Sequence, residues 1–475
     1  MEIKFGTSGW RDIIGDNFTF DNVKLVTQAI ADYINSEPTA EKSVIVGYDT
    51  RFLSEEFAKL SCSVLAANNI KSFYCNRATP TPVISFEIIN RKLNGGINFT
   101  ASHNPPEYNG IKFSPSWGGP ALPEQTKRIE SRIKELLINK EIKQITFEEG
   151  KKKKLIEEID TEKKYLKHIK ELVDLNVIKK SKLKIGVDLL YGTAKGYLDE
   201  ILKDVGCKIF VLHDYRDVLF GGRRPEPDDE GLSELKKIIR KQKLDIGLSV
   251  DGDADRFGIV DRDGTFITPN QVIALLLYHL IHTRNWTGIV ARSVMTTHFI
   301  DAIAKKNGID VKETPVGFKF IGDIMVTHKN EFIIGGEESG GLSIRGHVPE
   351  KDGILACLLM AEMVAIEKKT IKEILNMLMK NVGKYITKRI NIKSTSEIIE
   401  TLKEKLKTNP PISIAGLKVN NIVTMDGYKF ILEDNSWVGM RISGTEPVVR
   451  LYIETDRENK LESLINSSKQ IIGIK

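Results

Sequence analysis

The chain has 475 residues, 41% of them hydrophobic and 28% charged. That length needs three or four domains, and that balance excludes collagen, wholesale disorder and an isolated coiled coil. Its 70 basic residues exceed its 64 acidic ones by a formal charge of only +6, a mild bias that suits a small anionic substrate.

No secretion signal is expected, because Glu2, Lys4, Arg11 and Asp12 interrupt any apolar stretch near the start. Residues 43–49 form an apolar β-rich run, 55–67 have helical periodicity, and 70–74 form a second β run. The lysines at 151–154 have no interleaved aromatics and are flanked by Glu148, Glu149, Glu157 and Glu158. They read as a solvated connection between domains, not a nucleic-acid site. The same strand–helix–strand rhythm returns at 183–188, 196–205 and 207–212, and again from 288 to 312. It predicts three similar α/β domains with mostly parallel sheets. The longest uncharged apolar run, 272–280, falls far short of the roughly 20 residues of a membrane helix. His279 and His282 at its end read as structural. Residues 419–456 carry short β runs between turn signals, with a helix from 458, which predicts a smaller α+β domain with an antiparallel sheet. Cys62, Cys75, Cys207 and Cys357 are scattered, so neither a zinc clip nor a disulfide framework is expected. The chain reads as soluble and cytoplasmic.

No two glycines are separated by a single residue, which removes the dinucleotide fingerprint and the kinase glycine loop. Four other clusters carry chemistry. Residues 100–112, T-A-S-H-N-P-P-E-Y-N-G-I-K, follow an apolar strand at the sheet edge where α/β folds bind ligands. They read as one rigid loop offering Ser102 as a nucleophile; a proline-rich turn explains the same residues equally well. Residues 251–256, D-G-D-A-D-R, follow another apolar strand and bring three carboxylates together, which is costly without a cation. Arg256 and Arg262 stand where a calcium loop needs Gly and Glu, so a catalytic divalent ion such as Mg2+ fits better. Residues 335–341, G-G-E-E-S-G-G, read as a loop in which Glu337 and Ser339 could bind sugar hydroxyls; a surface loop would look alike. Residues 441–447, R-I-S-G-T-E-P, followed by Arg450, make a phosphate cradle. Residues 258–266 match the D-x-D-G-T pattern of aspartyl phosphatases at Asp261. They are read instead as a β-hairpin turn.

These clusters in this order, with F-G-T-S-G-W-R over 5–11, resemble the α-D-phosphohexomutase family of phosphoglucomutases and phosphomannomutases, across residues 5 to about 455. The resemblance implies four domains around a central cleft, here 1–153, 154–266, 267–382 and 383–475. It implies that Ser102 carries a phosphoryl group and that Asp251, Asp253 and Asp255, with Ser102, hold one Mg2+. Lys112 would be the general base, with its pKa depressed by nearby cations, and His103 an accessory proton carrier. Arg11 and Arg256 would neutralise the transferring phosphoryl group. Glu337 and Ser339 would read the sugar, Arg441, Ser443, Gly444, Thr445 and Arg450 its phosphate, and Lys319 would support the same cleft.

The expected reaction interconverts hexose 1-phosphate and hexose 6-phosphate through a hexose 1,6-bisphosphate, in a monomer or homodimer with no nucleic-acid or membrane partner. Glucosamine phosphate mutases of the family usually read G-G-E-Q-S-G-H. Glu338 and Gly341 replace the Gln and His here, which favours glucose and mannose, with an amino-sugar mutase, or an aspartyl phosphatase using Asp261, as the alternatives.

Overall fold

The computed structural model describes residues 3–139, 141–442 and 448–474. Its first sheet has six strands: β1 (Trp10–Ile13), β2 (Ser43–Tyr48), β3 (Lys71–Cys75), β4 (Gly95–Phe99), β5 (Tyr108–Pro115) and β6 (Ile156–Ile159), in the order β1-β5-β4-β2-β3-β6. The strands β2, β3, β4 and β6 are parallel, and every residue of β4 is buried, as expected of strands covered by helices on both faces. The pairing of β6 with β3 carries this sheet past residue 153, where the sequence placed a boundary. The lysines before it end the helix Phe147–Lys152, where Lys151 pairs with Glu158 at 2.7 Å, so they belong to the first domain's helix–strand connection.

The second sheet contains β7 (Lys184–Asp188), β8 (Lys208–Leu212), β9 (Ile246–Val250), β10 (Phe257–Asp261) and β11 (Phe266–Ile267), in the order β11-β10-β9-β7-β8. The third contains β12 (Ile289–Ser293), β13 (Asp310–Thr314), β14 (Phe332–Glu337) and β15 (Gly341–Ile344), in the order β13-β12-β14-β15. One apolar core runs without a break through both, from Ile185 and Leu248 to Val290 and Ile334. The helix Gly353–Glu367 joins them. It is buried on all sides over residues 353–365, and it packs on β9 and β10 as well as on β15. A helix apolar all round needs such a position. Its first residue has to be glycine, because a Cβ there would stand 2.2 Å from the Arg256 carbonyl oxygen.

The fourth sheet is antiparallel throughout: β16 (Ile386–Lys393), β17 (Ser413–Ile414), β18 (Leu417–Val423), β19 (Tyr428–Leu432), β20 (Trp437–Ile442) and β21 (Val448–Thr455), in the order β16-β21-β20-β19-β18-β17. The helices Ser396–Thr408 and Glu458–Ile472 contribute Leu402 and Leu464 to its core. Sequence reasoning found the strands from 419 onward and the last helix, but not β16 or the helix Ser396–Thr408. Among the described residues no helix is long and apolar enough to cross a membrane.

Candidate active site

The strand β4 ends at Phe99, and the chain returns in β5 at Tyr108. The loop is therefore 100–107, shorter than the 100–112 read from the sequence. The Asn109-Gly110 pair is not a turn, because Gly110 lies within β5, where a Cβ would stand 2.6 Å from the Thr100 oxygen and 2.8 Å from the Trp10 oxygen. Lys112 consequently sits on a strand, opposite Asn98.

Ser102 is buried and has φ = +52°, a left-handed conformation that a non-glycine residue adopts at a cost of order 1–3 kcal/mol. Its N–H donates to Thr100 Oγ1 at 2.8 Å, and its carbonyl accepts from Arg51 at 2.7 Å. Arg51 was absent from the sequence reading. It is fully buried, and its guanidinium also donates to the carbonyls of Asn104 (2.6 Å), Pro105 (2.7 Å) and Tyr108 (3.0 Å) and to Asp49 Oδ2 (3.2 Å). The Phe220 ring of the second domain lies 4.9 Å from its Cζ. The one sequence signal was its place two residues after Asp49, just beyond the carboxyl end of β2.

So held, Ser102 Oγ donates to Asp251 Oδ2 at 2.6 Å. Asp251, Asp253 and Asp255 are all buried, each offering an oxygen within 4.8 Å of the others. Asp251 Oδ1 accepts the Arg256 N–H at 3.0 Å. Asp253 Oδ2 accepts from Thr81 Oγ1 and from Lys112 Nζ, the latter at 2.5 Å. Asp255 Oδ2 meets Lys112 at 2.7 Å and Lys351 at 3.1 Å. Asp253 Oδ1 and Asp255 Oδ1 are buried without a partner among the described residues, a cost that a hard cation would relieve. The trio therefore fits a divalent ion. Burial and its two acidic neighbours push the Asp251 carboxyl well above the usual range. Asp255 lies below it despite burial, because Lys112, Lys351 and Arg256 surround it. Lys112 departs from expectation: burial would lower its pKa, but Asp253 and Asp255 more than offset that and raise it. The nearest charges to its ammonium are anions, not the cations expected.

His103 is half-buried with Nδ1 3.4 Å from Ser102 Oγ. Burial, then Arg256, Arg11 and Arg224, hold its pKa well below the usual value. Arg11, on β1, donates to Asn104 Oδ1 at 2.9 Å. Arg256 donates to Glu226 Oε1 at 3.2 Å, and its buried Nε has no partner among the described residues.

The expected sugar loop is a tight hairpin, with β14 running through Gly335 and Gly336 to Glu337 and pairing with β15. Glu337 Oε1 accepts the Gly317 N–H at 2.6 Å. Its carboxyl is pushed up to about 7 by burial and by Glu338. Glu338 Oε2 accepts from Ser293 Oγ at 2.6 Å and from Thr296 Oγ1 at 3.3 Å. Ser339 is half-buried. The Lys319 ammonium lies 5.5 Å from the Phe320 ring centroid, and burial lowers its pKa. Arg441 donates to Asp426 Oδ2 at 3.0 Å and lies opposite Arg450 in register. Ser443, Gly444 and Thr445 lie outside the described residues. Lys351, bound to Asp255 and to Glu350 (3.1 Å), also escaped the sequence reading; only its position just before an apolar helix marked it.

Asp261 closes the β10–β11 hairpin, and both its oxygens are taken. Oδ1 accepts N–H groups of Arg262 (2.8 Å) and Ile371 (3.2 Å), and Oδ2 that of Lys372 (2.9 Å). It caps the helix Ile371–Val382, which is a structural task. His279 Nε2 meets Glu362 Oε1 at 3.1 Å and His282 Nδ1 the Tyr278 carbonyl at 2.8 Å.

Four family profiles match the chain, all of phosphoglucomutase/phosphomannomutase. They are alpha/beta/alpha domain I over residues 2–139, domain II over 163–264, domain III over 268–382 and the C-terminal domain over 390–467. A phosphoglucomutase/phosphomannomutase of Thermococcus kodakarensis is 31% identical over 99% of this chain and 97% of its own. A phosphoglucosamine/phosphogalactosamine mutase of Sulfurisphaera tokodaii is 28% identical over 98% of each chain. A crystal structure from Thermus thermophilus, described as a phosphomannomutase, superposes with a TM-score of 0.86 at 28% identity, covering 100% of this chain and 99% of that one.

Replacing Arg51 with lysine keeps a positive charge but loses the planar fork, and each buried carbonyl left unpaired costs about 1–3 kcal/mol. Arg51→Lys is expected to lower the thermal unfolding midpoint by several degrees, measured by calorimetry.

Proposed function

We infer the reaction of this chain, which belongs to the phosphoglucomutase/phosphomannomutase family, from what its cleft gathers around Ser102. It is an enzyme, a mutase that shifts a phosphoryl group. The substrates are hexose 1-phosphate and hexose 6-phosphate, interconverted through a phosphoserine at position 102 and a hexose 1,6-bisphosphate. The single observation that carries this reading is the 2.6 Å contact of Ser102 Oγ with Asp251, inside a trio of buried carboxylates. Asp251, Asp253 and Asp255, with Ser102, would hold one Mg2+, whose charge neutralises phosphoryl oxygens as they move.

A hydroxyl of the bound hexose phosphate attacks the phosphorus on Ser102. The bond from phosphorus to Oγ breaks, and the proton leaving the sugar hydroxyl ends on Oγ. His103, whose imidazole is held neutral, would carry that proton, while Lys112 stays the ammonium that Asp253 and Asp255 hold. Arg11 and Arg256, whose Nε has no partner among the described residues, compensate the charge of the group in flight. The bisphosphate then turns, and its other phosphate returns to Ser102. Glu337 and Ser339 read the ring hydroxyls beside Lys319, and Arg441, Ser443, Gly444, Thr445 and Arg450 hold the phosphate that is not reacting.

For the sugar we propose glucose and mannose. A Cβ at Gly341 would stand 2.1 Å from Lys351 Cδ, so the lysine stem fills the space where amino-sugar mutases carry histidine. Glu338, in place of glutamine, is committed to Ser293 and Thr296. Glucosamine phosphate is the second reading, since relatives of that activity match nearly the whole chain. The chain acts as a cytoplasmic monomer or homodimer of four domains.

Ser102→Ala is expected to reduce turnover by about 10⁶-fold, the scale seen when a covalent nucleophile is removed, and to abolish phosphoserine; retained turnover removes the mechanism. Initial rates with glucose, mannose and glucosamine 1-phosphates are expected to rank kcat/KM with glucosamine last, and the reverse order selects the amino-sugar reading. The Glu337 carboxyl, at about 7, accepts sugar hydroxyls most strongly as the carboxylate, a form lost as pH falls through 7. KM for hexose phosphate is expected to rise below that pH, and Glu337→Gln to flatten the profile.

A further inference from the structure

After β8 the chain runs from His213 to Arg224 against the first domain. Arg216 Nε donates to the Thr50 carbonyl at 3.3 Å, and the Phe220 ring covers Arg51. Arg224 Nε reaches the His103 carbonyl at 3.4 Å, the one carbonyl between residues 102 and 105 that Arg51 does not take. The next three residues, Pro225-Glu226-Pro227, pack on the acidic loop. Both prolines are buried. A Cβ at Gly252 would stand 3.1 Å from Pro225 Cγ, and one at Gly258 would stand 2.5 Å from the Pro227 oxygen. Proline fixes its own φ and keeps the preceding residue extended, so Glu226 projects from a rigid rung.

Its carboxylate is divided between two arginines. Oε1 accepts from Arg256 Nη1 at 3.2 Å, and Oε2 meets Arg224 Nη2 at 2.6 Å. The side chains of Glu226 and Arg256 are only 19% and 16% exposed, so water screens this pair far less than a surface one. Arg256 is thereby fixed at two points. Its backbone N–H rests on Asp251 Oδ1, and the other oxygen of that carboxylate accepts from Ser102 Oγ. The other acids that act on its guanidinium are Asp251, Asp255 and Glu337. Released from Glu226, the fork would be drawn onto those carboxylates.

Resting on the mutase reading above, we propose that Glu226 is a positioning residue of the transfer, holding Arg256 off the carboxylate trio with its other donors left for the phosphoryl group. A carboxylate beside a phosphoryl group repels it unless its charge is already taken up, as here by two guanidiniums. The same grip sets Arg224 on the serine loop, so one side chain spaces the nucleophile against the charge that compensates it.

Glu226→Asp tests this in the full chain. It keeps the charge but is one methylene too short, and the flanking prolines prevent the backbone from following. With glucose 1-phosphate, kcat is expected to fall about 100-fold while KM changes about twofold or less. Glu226→Gln keeps the length and one acceptor oxygen, and is expected to lose about tenfold; should the Asp variant not fold, this one decides on the same readouts. Full activity in Glu226→Asp would mark an effect of charge alone and overturns the proposal. In an Arg256→Ala background the Asp substitution is expected to cost about twofold or less, because the group it acts through is gone; a further 100-fold loss overturns the proposal too. Independently of turnover, the Arg256 Nε–H resonance, assigned in arginine-15N-labelled protein by its loss in Arg256→Ala, is expected to shift or broaden in Glu226→Asp, and an unmoved resonance overturns the proposal. Absence of turnover in the unaltered protein would instead overturn the mutase reading, while the resonance still decides whether Glu226 fixes Arg256.

Discussion

Three carboxylates buried within one small volume repel each other, and the cleft is built around meeting that repulsion. At an effective dielectric constant near 20, two unit charges 4 Å apart interact by about 4 kcal/mol. No single domain supplies enough positive charge nearby. Lys112 comes from the first sheet, Arg256 from the acidic loop itself, and Lys351 from just before the helix Gly353–Glu367 of the third domain. The trio recruits cations from three domains, so its presence and the convergence of those domains are one fact. Among the described residues Asp253 Oδ1 and Asp255 Oδ1 still have no partner.

The serine loop meets a different demand. A residue at φ = +52° relaxes unless its carbonyl and amide are both fixed. Here one guanidinium holds the carbonyls of residues 102, 104, 105 and 108. An arginine can do this because its donors lie in one plane and its charge survives burial when acceptors surround it. Phe220, reaching from the second domain, closes the remaining face. The direction of Oγ thus depends on residues half a hundred places upstream and more than a hundred downstream.

This division explains what could be read from the sequence. The apolar runs at 43–48, 184–188, 246–250 and 289–293 announced their strands, because strands buried on both faces leave a continuous mark. Ser102, the acidic trio, Glu337 and Arg441 stood in dense local patterns. Arg51 and Lys351 did not: a buried arginine and a buried lysine look like any surface residue until distant acceptors are placed beside them. Lys112 was found, but its charge state was misjudged, since its neighbours come from another domain. The strand β16, with polar residues at five of its eight positions, lacks the apolar run by which strands were recognised, as suits the edge of a sheet.

The helix Gly353–Glu367 has one more implication. It begins against the carbonyl of Arg256 and lies in a core common to the second and third sheets. Sliding those two sheets apart would tear a shared interior, whereas the joints to the first and last domains run largely through side-chain contacts such as Ser102 with Asp251 and Lys429 with the Val294 carbonyl. The second and third domains therefore share one unbroken interior, a chassis on which the first and last domains are mounted.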